Sequence, residues 1–285
     1  MNGTTMPPGG LAFKAREIEE VVDVYFFRRL GIVFARLAQE LRLTPTDVTF
    51  ASIAAGAVGG LLLASPRTAM LGVALLILHG VLDSSDGQLA RLTGQSSDFG
   101  RMMDGVAGYI THVAMYLGVT IAAFPRLGWW ALLLACAGGF CTIVHAQMYD
   151  YHRTTYAAYA IKGEALPAAV GTPHGGLLGL YESMQRLIAG RHPEVERRLA
   201  LNGRAGVVEY ESRQRYRQFF YRPVRGWNLL GDNGRRLTIA VAVWFGRPEW
   251  FIFSVITIHL PPAQSAASID NFPTRTAKDF PYGLR

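Results

Sequence analysis

Three aspartates lie in or beside strongly apolar stretches of the sequence, where charge is costly. They are Asp83, Asp86 and Asp104. A carboxylate at membrane depth is unfavourable, so its presence there indicates a functional site. Asp83 and Asp86 are three residues apart and share one face of a helix. Asp104 can meet them from the next helix.

The chemistry of three such groups is restricted by electrostatics. Converging carboxylates in a medium of low dielectric cannot all ionise unless cations lie between them. Hard divalent ions such as Mg²⁺ or Mn²⁺ prefer oxygen ligands, and beside carboxylates they usually serve a phosphate substrate. Arg91 adds a fixed guanidinium fork that suits phosphate. The small residues nearby either permit close helix approach or leave room for a nucleotide: Gly87, Ala90 and Gly100.

The composition requires these groups to be positioned by membrane helices. Half of the 285 residues are hydrophobic and only 17% are charged, which favours an integral membrane protein over a soluble domain. The net charge of +7 comes from basic residues between apolar segments, where topology and anionic lipid explain them better than nucleic acid does. No nucleic-acid partner is therefore expected. Cys136 and Cys141 lie inside an apolar segment and are interpreted as packing residues.

Four apolar stretches approach the roughly 20 residues that a membrane span requires: 50–65, 69–92, 99–124 and 127–149. The apolar signal returns at 237–260 and is interrupted at 246–249. That stretch is either one broken span or a hairpin of two. We expect an all-α integral membrane fold with about six transmembrane helices, an N-terminal interfacial amphipathic helix, and a cytoplasmic insert before the last two spans.

The distribution of Lys and Arg predicts the orientation. Along the chain, the segments between spans hold six, one, two, one, fourteen, one and three of them. Because basic residues accumulate on the cytoplasmic side, this alternation predicts six spans with both termini and the aspartates facing the cytoplasm, in the cell inner membrane if the protein is bacterial. A single broken last span would put the tail outside.

These patterns predict four regions along the chain. Arginines alternate with apolar residues at helical spacing in 18–43, which indicates a helix in the membrane interface. The polar stretch before the last apolar segment is interpreted as a lid or subdomain at the membrane surface. The regions are an N-terminal interfacial segment (1–46), a four-helix transmembrane catalytic region (47–150), the cytoplasmic insert (151–236), and a final hairpin and tail (237–285).

Seven positions within 22 residues resemble the signature of the CDP-alcohol phosphotransferase (CDP-alcohol phosphatidyltransferase) family: Asp83-x-x-Asp86-Gly87-x-x-Ala90-Arg91, eight residues, Gly100-x-x-x-Asp104. Thr44-Pro45-x-x-Val48-Thr49 is similar to the Thr-Pro-Asn-x-x-Thr motif of the same family, with Thr46 in place of Asn. The resemblance covers roughly residues 25–150.

The resemblance implies a function. Members of this family transfer a substituted phosphate group from a CDP-linked donor to an alcohol and release CMP in phospholipid or related lipid biosynthesis. It also implies metal ligands, which are Asp83, Asp86 and Asp104, holding two Mg²⁺ or Mn²⁺ ions or one. The cytidine diphosphate site would be shaped by Asp83, Gly87, Ala90, Arg91 and Gly100. One of the two substrates would be a lipid, and a homodimer is left open.

The chain departs from the family pattern at Gly108, where the fourth aspartate is expected. In the family that residue is thought to complete the second metal site and to deprotonate the acceptor hydroxyl. His112, one turn further on the same helix face, is our choice for the base, with Asp104 as the second catalytic residue. Other groups that could take this role are Tyr109, His145, Asp150 and His152.

Three classes of function remain open at this point. The chain is a metal-dependent phosphotransferase with His112 as base, or with a water or substrate phosphate as base. Alternatively, it is a catalytically silent member that binds nucleotide or lipid, for which Gly108 is the argument. An ion-coupled transporter is supported only by the intramembrane acids, and the sequence shows no internal repeat.

Overall fold

The computed structural model describes residues 16–166, 176–190, 192–202, 207–228 and 231–257. These residues are almost entirely helical, and they contain one isolated antiparallel bridge, between Glu164 and Val207. The prediction of an all-α fold is confirmed. The chain divides into two contact units. Of the described residues, the first unit comprises 19–143 and 232–257, and the second comprises 16–18 and those within 144–231.

Ten α-helices lie in the described residues. In chain order they are α1 (Arg28–Glu40), α2 (Pro45–Leu62), α3 (Ala69–Thr93), α4 (Asp98–Leu127), α5 (Trp129–Tyr156), α6 (Gly176–Ile188), α7 (His192–Asn202), α8 (Tyr210–Trp227), α9 (Asp232–Trp244) and α10 (Glu249–Thr257). Two π-helical segments adjoin them, Asp23–Phe27 and Ala157–Lys162.

Four helical segments are long and apolar enough to cross a membrane: Pro45–Leu62, Ala69–Thr93, Met102–Leu127 and Trp129–Lys162. They match the four predicted spans. In α4, the twenty residue steps from Asp104 to Phe124 rise about 30 Å, which is the thickness of the hydrocarbon core. Asp104 therefore lies near one membrane boundary if Phe124 lies near the other.

The first span begins earlier than its apolar residues suggest, because of a local capping motif. The Thr44 hydroxyl accepts a hydrogen bond from the Asp47 amide at 3.2 Å, and the Asp47 carboxylate accepts one from the Thr44 amide at 2.8 Å. Pro45 occupies the first helical position, where its missing N–H costs nothing. The helix is therefore fixed from Pro45 onward.

Glycines hold α2 tightly against its neighbours. A Cβ on Gly118 of α4 would lie 2.1 Å from the Gly60 carbonyl oxygen, and one on Gly72 of α3 would lie 2.7 Å from the Gly59 carbonyl oxygen. Only glycine permits such backbone contact, which is the usual packing of small residues between membrane helices. The pattern Gly56-x-x-x-Gly60 is the sequence signal of this surface.

The same packing leaves α3 and α4 apart. Close backbone contacts are extensive between α2 and α3 and between α2 and α4, whereas α3 and α4 make few or none with each other in the described residues. The two helices that carry the aspartates are thus aligned by a common third helix. Side chains of α3 and α4 nevertheless meet in one buried cluster, which includes Leu76 and Met115.

The helices α9 and α10 pack on each other and are joined by a turn at Gly246, whose φ is +66°. This excludes one continuous helix and favours the hairpin over a single broken span. Exposed tryptophans mark the end of the unit where this turn lies: Trp129, Trp130, Trp244 and Trp250. Aromatic residues of this kind are typical of a membrane interface. The predicted tail from residue 258 lies outside the described residues.

Two smaller features complete the fold. Helix α1 buries Gly31, Ile32 and Ala35 and exposes Val33 and Leu37, as a helix in the membrane interface would. The second unit has its own core, in which α8 and the π segment contribute Tyr159, Tyr216 and Phe220 beside residues of α7.

Candidate active site

Asp86 is the most firmly held of the three motif aspartates. Its residue is 6% exposed, and its Oδ2 accepts a hydrogen bond from the Thr49 hydroxyl at 2.6 Å. Thr49 lies one turn into α2, so the capping motif that starts this helix also places the hydroxyl. The Thr-Pro-x-x-Val-Thr motif therefore orients one carboxylate of the acidic motif.

Asp83 and Asp104 lie in the same region of the first unit. The electrostatic neighbours of Asp83 are Asp104, Asp86 and Asp232, together with the guanidinium of Arg236. Asp104 is exposed on α4 and also lies within electrostatic range of Asp86. The structure thus brings together the three aspartates that the sequence selects as metal ligands.

The donor set fits hard divalent cations in its chemistry. All three groups are carboxylates, the ligands that Mg²⁺ and Mn²⁺ prefer, and like charges in this proximity are stabilised by a cation between them. In the part of the chain that the structure describes, no three His, Cys, Asp or Glu side chains are close enough to hold an ion as they stand. In this arrangement the three carboxylates are therefore further apart than the ligands of one bound ion would be.

Arg91 accompanies the carboxylates on α3. It is exposed and lies within electrostatic range of Asp86. A Cβ on Gly87 would lie 3.5 Å from its guanidinium, and a Cβ on Gly100 would meet only the Ser97 hydroxyl of its own helix cap, at 3.1 Å. These two glycines therefore do not serve close helix packing. They instead leave backbone surface open, which is the arrangement that would make room for a nucleotide. Ala90, which directly precedes Arg91 on α3, is partly buried.

Gly108 opens onto free space, and His112 lies beside it. A Cβ at residue 108 would meet no atom within 4 Å. The Nδ1 of His112 lies 2.8 Å from the Gly108 carbonyl oxygen. Because a carbonyl can only accept, Nδ1 carries the proton of this hydrogen bond. Nε2 is then the free acceptor of the neutral ring.

Sequence reasoning missed Asp232, the first residue of α9. Its Oδ1 lies 3.5 Å from Nε2 of His112 and forms an ion pair with Arg235, which is 2% exposed. Burial alone raises the pKa of Asp232, but Arg235 and Arg236, together with His112 when its ring is protonated, bring this pKa below its ordinary value. Asp232 is therefore ionised at neutral pH.

The signal for Asp232 was available but ambiguous. The run Asp232-Asn-Gly-Arg-Arg immediately precedes an apolar stretch, which is typical of a helix start. Sequence alone could not assign it to the acidic site, since about 130 residues separate it from Asp104. Only the packing of α9 on α3 places it there.

The other groups considered for the base have neighbours of their own. Tyr109 is exposed. His145, Asp150 and His152 belong to the second unit. There the Asp150 carboxylate accepts a hydrogen bond from Gln185 at 3.2 Å, and His152 stacks on Trp227 with ring centroids 4.7 Å apart. These contacts account for Asp150 and His152 as packing residues.

Residues 42–178 match the family model described as CDP-alcohol phosphatidyltransferase. This region is therefore similar to a CDP-alcohol phosphatidyltransferase domain. The domain includes every residue of the acidic motif, together with Gly108 and His112. Asp232 lies outside the matched residues.

Curated relatives agree with this family. The chain is 30% identical over 169 residues to a bifunctional IPC transferase and DIPP synthase of Rubrobacter xylanophilus, and 27% identical over 153 residues to a phosphatidylinositol phosphate synthase of Mycolicibacterium smegmatis. It is 30% identical over 103 residues to a CDP-diacylglycerol–serine O-phosphatidyltransferase of Mycobacterium leprae. These matches cover 52%, 50% and 35% of this chain, and 37%, 65% and 34% of the respective relatives.

Proposed function

We propose that this protein is a membrane phosphotransferase that moves a substituted phosphate group from a CDP-linked donor to an alcohol acceptor and releases CMP. The observation that carries this proposal is the convergence of Asp83, Asp86 and Asp104 in one region of a CDP-alcohol phosphatidyltransferase domain. The reaction would belong to phospholipid or related lipid biosynthesis.

The aspartates would hold Mg²⁺ or Mn²⁺, one ion or two, at the pyrophosphate of the donor. Bound ions would neutralise the phosphate charge and stabilise CMP as a leaving group. The Thr49 hydroxyl fixes the orientation of Asp86, and Arg91 offers a planar fork to a phosphate oxygen. Gly87, Ala90 and Gly100 leave the helix surface free for the cytidine diphosphate.

His112 would act as the base. The acceptor oxygen attacks the β-phosphorus, the bond to the CMP oxygen breaks, and the hydroxyl proton passes to Nε2 of His112. The hydrogen bond from Nδ1 to the Gly108 carbonyl fixes the tautomer that leaves Nε2 free. Asp104, eight residues before His112 on α4, would hold the ion on the same helix that carries this base.

A site at the membrane boundary lets a lipid substrate meet a soluble one. The distribution of basic residues favours the cytoplasmic side for it. Either the donor or the acceptor would carry the lipid. The name of the M. leprae relative contains CDP-diacylglycerol, so this donor is the first to test.

Purified protein in nanodiscs, given Mn²⁺, CDP-diacylglycerol and a panel of alcohols, should release CMP. Soluble CDP-alcohols with diacylglycerol or ceramide form the second panel. Absence of CMP release with every pair, despite bound CDP, would overturn the enzyme proposal. That outcome would favour a catalytically silent protein that binds nucleotide, an alternative supported by the glycine at position 108 in place of an aspartate.

A further inference from the structure

Asp232 reaches the acidic site from a helix that lies outside the matched family region. Its Oδ1 lies 3.5 Å from Nε2 of His112, and Arg235 pairs with the same oxygen atom. This arrangement joins α9 to α4 near the position where a fourth carboxylate is absent. We propose that Asp232 positions His112 and stabilises its protonated ring, so that the two residues together replace the missing carboxylate at residue 108.

The orientation of the imidazole supports this role. Nδ1 donates to the Gly108 carbonyl, so Nε2 and the Asp232 carboxylate face each other as two acceptors at 3.5 Å. Two acceptors gain nothing from each other until one of them receives a proton. Once Nε2 is protonated, the contact becomes a charge-assisted hydrogen bond. The attraction thus develops during proton transfer, which is the condition for lowering a barrier.

The contact between Asp232 and His112 favours a role of Asp232 through this ring. Asp232 and His112 line a cavity of about 10 Å³, together with His79, Thr111 and both arginines of α9. A cavity of this size holds about one water molecule. The side chains of His112 and Asp232 are 21% and 46% exposed, so both also reach the surface outside this cavity. We assign Asp232 a positioning role because its carboxylate faces the ring nitrogen that receives the proton.

Arg235 keeps the carboxylate in place. Its side chain is buried and pairs with Asp232 within one turn of α9. A buried arginine with a single carboxylate partner keeps that partner ionised and restricts its rotation. The Asp232 charge is thus available to a protonated His112 ring.

The open space at Gly108 provides a specific test. An aspartate there would place a carboxylate on the same face of α4, four residues before His112. Since no atom lies within 4 Å of a Cβ at this position, the substitution costs little in packing. It should restore a carboxylate to the site when Asp232 is removed.

The inference rests on the proposed phosphotransferase function, and the experiment uses the full chain in nanodiscs. Asp232→Asn should lower kcat for CMP release at least about tenfold, with KM for the donor and Mn²⁺ affinity within twofold. Asp232→Glu should retain more activity than Asp232→Asn. The double variant Gly108→Asp/Asp232→Asn should recover most of the lost kcat. Gly108→Asn/Asp232→Asn, which adds the same volume without charge, should not.

Each contrary result has a distinct meaning. Unchanged kcat in Asp232→Asn, or a loss that Gly108→Asp and Gly108→Asn restore equally, would overturn the positioning role. A parallel loss of Mn²⁺ affinity would overturn it in favour of metal ligation by Asp232. A lowered melting temperature that accounts for the lost activity would make the contact purely structural. A wild-type protein that binds CDP and never releases CMP would instead overturn the proposed function, and this inference with it.

Discussion

At one end of the first unit, carboxylates from three helices lie close together, whereas at the other end a buried carboxylate is paired with arginines. Asp83, Asp104 and Asp232 are electrostatic neighbours at the first end. At the second end, Glu249 accepts a hydrogen bond from Arg126 at 2.7 Å and lies 3.5 Å from Arg247. Surplus negative charge needs a cation or substrate to balance it, whereas a carboxylate paired with arginines is already balanced.

The glycines differ in the same way. Gly60 and Gly118 are in backbone contact, and a Cβ on either would overlap its neighbour. Gly105 and Gly108, near the acidic end, would meet nothing within 4 Å if they carried a Cβ. One set of glycines thus serves packing and the other leaves space. The structure thus distinguishes two kinds of glycine that look alike in sequence.

The largest effect should come from removing a motif carboxylate. Asp104→Asn should lower Mn²⁺-dependent CDP binding and CMP release by about 100-fold or more, since even the loss of an outer ligand partner costs 10–100-fold. Isothermal titration with Mn²⁺ and CDP measures the first quantity. Unchanged binding would show that the surplus charge at this end does not serve a metal.

The packing glycines should control stability rather than chemistry. Gly118→Ala should destabilise the protein by about 1–3 kcal/mol, because its Cβ would lie 2.1 Å from the Gly60 carbonyl oxygen and overpacking costs this much. The matched control is Gly105→Ala on the same helix, which should raise stability by about 0.5–1 kcal/mol through helix propensity. Thermal unfolding in detergent compares the two. Equal shifts in melting temperature would contradict the assigned packing.

A smaller effect is expected from the hydroxyl that orients Asp86. Thr49→Val preserves the shape of the side chain and removes the hydrogen bond of 2.6 Å. Mn²⁺ affinity should fall about tenfold, at the lower limit for an outer ligand partner. Thr120→Val is a suitable control, since the Thr120 hydroxyl bonds only the Tyr116 carbonyl of its own helix. If both variants bind Mn²⁺ as the wild type does, Thr49 is a packing residue.

The smallest effect on function should follow from disrupting the ion pair at the far end. Glu249→Gln should lower the free energy of unfolding by about 1–3 kcal/mol, because a buried charged partner is lost. CMP release per folded molecule should stay unchanged. A selective loss of kcat in this variant would mean that the two ends are coupled.

Much of the fold could be predicted from the sequence because hydropathy alone requires it. Four apolar stretches gave four helices, since a segment in lipid must satisfy its own backbone hydrogen bonds. The start of α2 at Pro45 was displaced from the apolar stretch by its capping box, a local contact that hydropathy does not register. The interruption at Gly246 could be located in the sequence, but its hairpin geometry could not.

The sequence by itself determined the membrane class, the acidic motif and the family resemblance, because these depend on residue type and short-range spacing. Only the tertiary structure decided which glycines pack, which hydroxyl orients Asp86, and that Asp232 joins the site from α9. These features depend on contacts between helices that are distant along the chain. Hydrophobic patterning sets the helices, whereas their docking through Gly59 and Gly60 sets which polar groups meet.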